Sequence, residues 1–403
     1  MLLLVLVGCD GSGAAPAVPT RVSVETVGTA EATPDATSTA IVRGIITLPP
    51  SWTPVPTSTI GPTATPAPLP TATAVPSLGT IYYIYAGDSI AAVDVATRDS
   101  RLIVTFGVGQ PITDLSLSPD GLLLAYVAPG NGSAREVYVS SLDGTYRQQV
   151  SCLGFAEVRG AAWSADSQRL AWFAGQSPDS PVDLFTAVIA GSNTCPTGNN
   201  QREVLSLDST LAREVVWSPD GTRLFFSDGV VYSVDVATGQ RSPALTEVSG
   251  LGSDFNLRFR PGQPTMLTIL RADLDFETGA SGGRVVELDV SNPSELLAER
   301  SLPGALIHRV EWSGDGRYLL ISEDAVVNFY DSEQQRILTL VTGQQTFARA
   351  IFSPDAQQMA YIGLDPANPA QEQIFVVDLS SGESRQITAL SEGSIGSVVW
   401  AEG

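Results

Sequence analysis

The chain has 403 residues, 43% of them apolar, and a formal net charge of −21 at pH 7. All 22 basic residues are Arg, so chemistry that depends on a Lys side chain, such as Schiff-base formation or the P-loop, is excluded. The acidic balance argues against a nucleic-acid partner, because a phosphate backbone requires a basic face.

The first nine residues resemble the end of a bacterial lipoprotein signal, with Leu6-Val-Gly-Cys9 as the lipobox and Cys9 as the lipidated residue. No basic residue precedes Cys9 and the apolar run is short for a secretory signal, so we expect the true start to lie upstream of Met1. The alternative is a chance apolar terminus. The resemblance implies a lipid anchor through Cys9, at the outer face of the cytoplasmic membrane or in the periplasm.

Residues 10–78 are rich in Pro, Thr, Ala, Ser and Val and carry almost no charge. Such a composition cannot bury a core, and its Pro content favours extended polyproline II structure. We therefore predict a disordered stalk that separates a folded head from its anchor.

From residue 79 onward the sequence is typical of β-strands of four to seven residues, without a sustained helical period. The clearest motif is Trp217-Ser-Pro-Asp-Gly221, in which an aromatic anchor ends one strand and a tight turn opens the next. Related segments begin at Leu117, Trp163, Phe259, Trp312 and Phe352, and Trp400 is a last anchor without a turn.

The seven anchors lie about 40 to 54 residues apart, close to the period of a four-stranded propeller blade. Residues 81–106 supply three strands without an anchor, and Val398-Val-Trp400 supplies an anchor with no strands after it. These two ends complete one blade and leave no open edge. We predict an all-β head over residues 79–403, a seven-bladed β-propeller of four-stranded antiparallel blades whose last blade is closed by strands from both ends.

The repeat Trp-Ser-Pro-Asp-Gly-x-x-Leu-x-Phe, as in Trp217 to Phe226, resembles that of TolB-like propellers, relatives of the WD-repeat propellers. The resemblance covers nearly all of residues 79–403 and implies the architecture. It implies no particular activity, because proteins with such repeats include periplasmic interaction platforms and lids on serine peptidases. A peptidase of the latter kind needs a further catalytic domain.

Signals for catalysis are weak. The single histidine, His308, lies in a predicted strand, where a satisfied sheet residue is commoner than a base. Residues 279–283, Gly-Ala-Ser-Gly-Gly, match a nucleophile-elbow pattern but lack its strand-to-helix context. We expect no cofactor. The central channel provides the test, because inward Asp, Glu, Arg and Tyr side chains from several blades would favour an enzyme.

Asp273, Asp275 and Glu277 alternate, so their carboxylates could face one side and hold calcium, but the rest of a calcium motif is missing. We expect a solvated acidic loop and no metal. Cys152 and Cys195 remain if Cys9 is lipidated. Their expected positions on opposite sides of the head argue against a disulfide, which requires Cα atoms within about 7 Å, although a folded-back loop at 190–202 would allow one.

Two functions remain open. The first is a non-catalytic binding or scaffolding module, a monomer that presents one face to a protein, peptide or glycan. The second is a carboxylate-based hydrolase or lyase with its site in the central pocket. Loops between second and third strands are long at 128–135, 175–182, 271–283 and 363–372.

Long loops often carry binding sites, although they also arise by neutral drift. We therefore predict that the partner docks on the face that these loops form. The first candidates are Arg271, Asp273, Asp275, Glu277 and the loop 363–372.

Overall fold

The computed structural model of the chain describes residues 78–189, 200–248, 253–274, 281–292, 296–301, 307–323, 326–342 and 349–402. These residues form 27 β-strands and no α-helix, which confirms the all-β prediction. No helix in these ranges is long and apolar enough to cross a membrane. The predicted stalk and the candidate lipobox lie outside the described residues.

The strands form seven antiparallel sheets, the blades of a propeller. The closing blade consists of β27 (Ile395–Ala401), β1 (Thr80–Tyr85), β2 (Ser89–Asp94) and β3 (Ser100–Thr105). Blade one consists of β4 (Thr113–Leu117), β5 (Leu123–Pro129), β6 (Arg135–Ser141) and β7 (Arg147–Gln149), and blade two of β8 (Glu157–Trp163), β9 (Arg169–Gly175), β10 (Asp183–Val188) and β11 (Gln201–Ser206).

Blade three consists of β12 (Val215–Trp217), β13 (Arg223–Ser227) and β14 (Val231–Asp235), and blade four of β15 (Ser253–Phe259), β16 (Met266–Leu274), β17 (Ser281–Asp289) and β18 (Leu296–Ser301). Blade five consists of β19 (Ile307–Trp312), β20 (Tyr318–Glu323), β21 (Val326–Asp331) and β22 (Arg336–Thr342). Blade six consists of β23 (Ala350–Phe352), β24 (Gln358–Leu364), β25 (Glu372–Asp378) and β26 (Ser384–Gln386). The predicted seven-bladed propeller is confirmed.

Blade three departs from the four-strand pattern within the described residues, because only a single bridge between Val234 and Arg241 replaces its outer strand. The chain there still bonds to β14, because the Ser242 N–H donates to the Ser233 carbonyl at 2.8 Å and the Leu245 N–H donates to the Val231 carbonyl at 2.7 Å. The Ser242 side chain adds a further bond to β14, because its Oγ accepts the N–H of Ser233 at 3.0 Å.

The closing blade joins the two ends of the head as predicted. β27 pairs with β1 in antiparallel register, with Trp400 opposite Ile81 and Val398 opposite Tyr83. The Trp400 indole N–H donates to the Leu78 carbonyl at 3.0 Å. The innermost strand of this blade is therefore the last strand of the chain.

The repeated turn is held by its own side chains. Ser218 Oγ donates to Asp220 Oδ1 at 2.6 Å, and Asp220 Oδ1 accepts the N–H of Thr222 at 3.0 Å. Gly221 has φ 67°, the left-handed conformation that suits glycine. Equivalent Ser-to-Asp bonds close the turns that begin at Ser118, Ser164, Ser313 and Ser353. These aspartates serve turn chemistry, as predicted.

The anchors connect neighbouring blades. Trp217 of blade three is buried, and its indole N–H donates to the Ala162 carbonyl of blade two at 3.1 Å. The Arg169 guanidinium of blade two lies over the Trp217 ring, 4.4 Å from its centroid. Arg260 and Trp312 repeat this stacking between blades four and five, at 4.5 Å. The anchors therefore stabilise blade-to-blade packing as well as individual sheets.

Cys152 forms a disulfide, which answers the question that the sequence left open and contradicts the topological argument against the bond. Its partner lies outside the described residues. The topological argument failed because β7 ends at Gln149, and the chain that follows comes close to blade two. The Cys152 N–H donates at 3.0 Å to Oε1 of Gln201, the first residue of β11 in blade two.

Candidate functional site

The first strands of the blades surround a central channel that contains two cavities, of about 720 and 860 Å³. Ser116, Arg258, Arg309 and Glu311 line both of them. Strand alternation explains which side chains point inward. The residue two before each anchor packs between blades, as Leu257 and Val310 do, whereas the residue immediately before the anchor faces the channel.

Four charged side chains form a continuous ion-pair network along the channel wall of blades three, four and five. Arg258 Nη1 donates to Glu214 Oε1, and Arg258 Nε donates to Glu311 Oε2 at 3.1 Å. Arg309 Nη2 donates to the same Glu311 oxygen at 2.7 Å. The backbone of β15 fixes the network, because the Leu257 carbonyl accepts from Arg258 at 2.6 Å and the Leu257 N–H donates to Glu214 at 3.3 Å.

The network holds the Glu311 carboxylate ionised. Burial by itself would raise the pKa of Glu311, but the charges of Arg258 and Arg309 and their hydrogen bonds lower this pKa to about 2. Glu311 and Glu214 raise the pKa of Arg258 despite the opposing effect of burial. A carboxylate held in this way is a poor proton donor at neutral pH.

Beyond the network, the larger cavity is lined by three residues with unusual backbone conformations, in blades one, two and four. Asp114, Gly160 and Asn256 occupy the same repeat position and have positive φ angles, of 55°, 71° and 51°. The register of the strand pairing shifts at each of these three residues, so each lies in a β-bulge. Asp, Gly and Asn are residue types that tolerate the left-handed region.

The bulge in blade one places Asp114 in the wall of the larger cavity. Burial raises the pKa of Asp114, against the opposing effects of hydrogen bonds from Thr113 and the Gly160 N–H and of the Arg135 charge. Asp114 and Glu311 thus line one cavity with pKa shifts in opposite directions.

We expect the channel network to contribute stability that depends on pH. Because the pKa of Glu311 is lowered in the folded state, its contribution is complete above its ordinary value of 4.5 and is lost as pH falls to about 2. Glu311→Gln should lower the free energy of unfolding by about 1–3 kcal/mol at neutral pH. The difference from the parent should shrink between pH 4.5 and 2.

Urea unfolding of both proteins across this range measures the effect, with Glu383→Gln at an exposed turn as the matched control. A difference that stays constant with pH would contradict the ion-pair account.

Of the predicted docking residues, Arg271 lies within β16 and is buried. Its Nε and Nη2 donate to the two carboxylate oxygens of Asp254 at 2.6 and 2.9 Å. Residues 271–274 pair with 281–284, so the connection in blade four is 275–280 rather than 271–283. Asp273 lies opposite Gly282 in this ladder. Asp275 and Glu277 fall outside the described residues.

The corresponding loops of blades one, two and six are also shorter than predicted, because the strands on either side of them are longer. They span residues 130–134, 176–182 and 365–371. They still exceed the connection of blade three, 228–230. The contrast between long and short loops on this face is therefore retained in these blades, and docking there stays a prediction.

Two further candidates from the sequence, His308 and Ser281, lie in β-strands. His308 lies in β19. Ser281 begins β17, opposite Leu274, so it is followed by a strand and not by the helix that a nucleophile elbow requires. Within the described ranges, no cluster of three or more His, Cys, Asp or Glu side chains is arranged to hold a metal ion.

The channel network was not predicted from the sequence, although the sequence contains a signal for it. The residue just before each anchor is Ser116, Ala162, Val216, Arg258, Glu311, Ile351 or Val399. Two of these seven are charged, of opposite sign, and belong to neighbouring blades. Aligning the repeats on their anchors and applying strand alternation would have selected Arg258 and Glu311 as inward-facing partners.

Comparisons with known proteins support the fold. No family model matches the chain, and no curated protein matches it. A functionally unknown protein from Desulfotomaculum acetoxidans is 12% identical, with a TM-score of 0.56 over 80% of this chain and 99% of that one.

One of two prolyl endopeptidases is 14% identical, with a TM-score of 0.55 over 80% of this chain and 50% of that one. TolB from Acinetobacter baumannii is 14% identical, with a TM-score of 0.48 over 80% and 66%. The chain thus spans half of the endopeptidase chain and about two thirds of the TolB chain. At these identities the comparisons show the propeller fold alone.

Proposed function

We propose that the chain is a non-catalytic binding or scaffolding module, a monomeric propeller anchored through Cys9 outside the cytoplasmic membrane. Its partner is a protein, peptide or glycan, and not a nucleic acid. Charged side chains from several blades do line the channel, which is the arrangement expected of an enzyme. One observation nevertheless favours the non-catalytic proposal. The charged side chains of the channel, Glu214, Arg258, Glu311 and Arg309, form ion pairs with one another.

Catalytic acids and bases require a pKa near the working pH and a free path to the substrate. The carboxylate of Glu311 fails the first requirement, because two guanidinium groups engage one of its oxygens and keep its pKa low. A wall of this kind instead offers fixed hydrogen-bonding groups, which suits recognition. The long loops around the channel enlarge the surface available to a macromolecule.

The docking face can be tested by trimming the loop of blade four. Leu274 and Ser281 are paired, so an Asn-Gly turn in place of 275–280 retains the ladder and the buried Arg271. The partner is the molecule that the whole parent chain retains from envelope extracts. We expect the trimmed chain to have a melting temperature close to that of the parent and to lose most of its capture of this partner.

The trimmed loop removes two carboxylates, Asp275 and Glu277. The matched control therefore removes two exposed carboxylates from turns on the opposite face, through Asp99→Asn and Glu383→Gln. Undiminished capture by the trimmed chain, or an equal loss in the control, would reject this docking face.

A carboxylate-based hydrolase or lyase is the second candidate, and the opposite pKa shifts of Asp114 and Glu311 in one cavity favour it. Environments that separate two carboxyl pKa values are typical of acid and base pairs. If Asp114 is the general acid, at least one of a panel of chromogenic glycosides should be hydrolysed. The rate should fall at alkaline pH, and this alkaline limb of the pH–rate profile should disappear in Asp114→Asn. Turnover that Asp114→Asn leaves unchanged would argue against this role, and so would its absence from the whole panel.

A further inference from the structure

The ion-pair network leaves hydrogen-bonding groups available to a ligand. Within the described residues, Glu311 Oε1, Arg258 Nη2 and Arg309 Nη1 have no protein hydrogen-bond partner, whereas the other oxygen of Glu311 accepts from both arginines. One acceptor, the carboxylate oxygen, thus lies on the same network as two guanidinium donors, and the ion pairs already fix all three side chains. Preorganised groups of this kind lose little conformational entropy on binding.

The rest of the wall is small and partly apolar. Ser116, Gly160, Ala162 and Ser397 line the larger cavity with little bulk, and half-buried Phe255 lines it with an aromatic ring. The cavity of about 860 Å³ is within the range of small-molecule sites, roughly 300–1,000 Å³. It therefore has room for a ligand of one or two rings.

The charges of the site favour an uncharged ligand. The larger cavity is also lined by Asp114, Arg213 and Asp254, and Asp254 is paired with Arg271. Asp114 and Arg213 add one group of each sign to the two guanidinium groups and two carboxylates of the network, which balance one another. An added ion would therefore compete with existing pairs or remain uncompensated in a confined site. Adjacent hydroxyl groups can each donate and accept, and so match a carboxylate oxygen beside guanidinium N–H groups. The apolar face of a sugar ring complements Phe255.

We propose that the central channel binds a neutral saccharide, with Glu311, Arg258 and Arg309 as the groups that recognise its hydroxyls. The inference rests on the proposed binding function and names a ligand class for the channel. It does not depend on the docking face formed by the long loops.

The test is titration of the whole chain by calorimetry and ligand-observed NMR. The probes are glucose, galactose, mannose, N-acetylglucosamine and their disaccharides, together with the charged sugars glucuronate and glucosamine. We expect saturable binding of at least one neutral probe, with a Kd of about 1 mM or lower. Glu311→Gln should weaken it at least about tenfold, and charged probes should bind more weakly.

A second variant keeps the test independent of the network's role in stability. Ser397→Tyr adds bulk inside the cavity without removing an ion pair, and it should abolish binding. The matched control is Val108→Tyr, at a side chain that is 99% exposed, and it should bind like the parent.

Failure of all neutral probes, stronger binding of a charged probe, or unchanged binding in Ser397→Tyr would overturn the inference. The chain with the trimmed loop separates the two proposals. Saccharide binding that survives trimming supports the channel site. If the parent chain captures the partner but binds no saccharide, the channel site alone is rejected. If the parent chain does neither, the proposed binding function is rejected as well.

Discussion

Deleting residues 394–403 should abolish cooperative folding of the head. The deletion removes β27, the innermost strand of the closing blade, and with it the buried side chains of Ile395, Val398 and Trp400. Burying each such side chain contributes about 1.5–3 kcal/mol, so their combined loss of roughly 6 kcal/mol approaches the total stability of many domains. It also exposes β1 as an unpaired edge.

Thermal unfolding monitored by circular dichroism, together with size-exclusion chromatography for aggregation, measures this effect. Deleting only Glu402 and Gly403 is the matched control, because Glu402 is exposed and neither residue belongs to β27. That protein should melt like the parent. A 394–403 deletion that melts with the parent's midpoint and cooperativity would mean that β27 does not close the ring.

Most of the fold was predictable because the information that specifies a blade is local. The turn from Ser218 to Arg223 closes through bonds between residues at most five apart, so its sequence signature is also its physical cause. The exception is blade three, where the described residues form three strands and one isolated bridge instead of the four strands that the repeat predicts.

The channel was less predictable because its contacts are long-range. Arg258 reaches Glu214 across 44 residues and Glu311 across 53, and these three come together only when the blades close into a ring. The role of Arg271 was equally hidden. It stands beside a run of acidic residues in the sequence, whereas its partner in the structure is Asp254, 17 residues earlier.

Arg271→Met should destabilise the head by about 3–5 kcal/mol, because it leaves Asp254 as an unpaired buried charge. The side chains are 8% and 0% exposed, respectively, and the bond between them is bidentate. Chemical denaturation of the whole chain measures the loss. Asp254→Asn should also destabilise the head, since it removes the carboxylate charge that accepts from both Nε and Nη2 of Arg271.

Replacing both residues, with Asp254→Leu and Arg271→Met, should recover part of the lost stability, because burying two apolar groups avoids the cost of an isolated charge. This cycle also separates the two roles considered for Arg271. If Arg271 serves packing, the double variant should regain stability and capture the partner normally. If Arg271→Met melts like the parent but loses capture, then its guanidinium contacts the partner, and the pair with Asp254 contributes little to the fold.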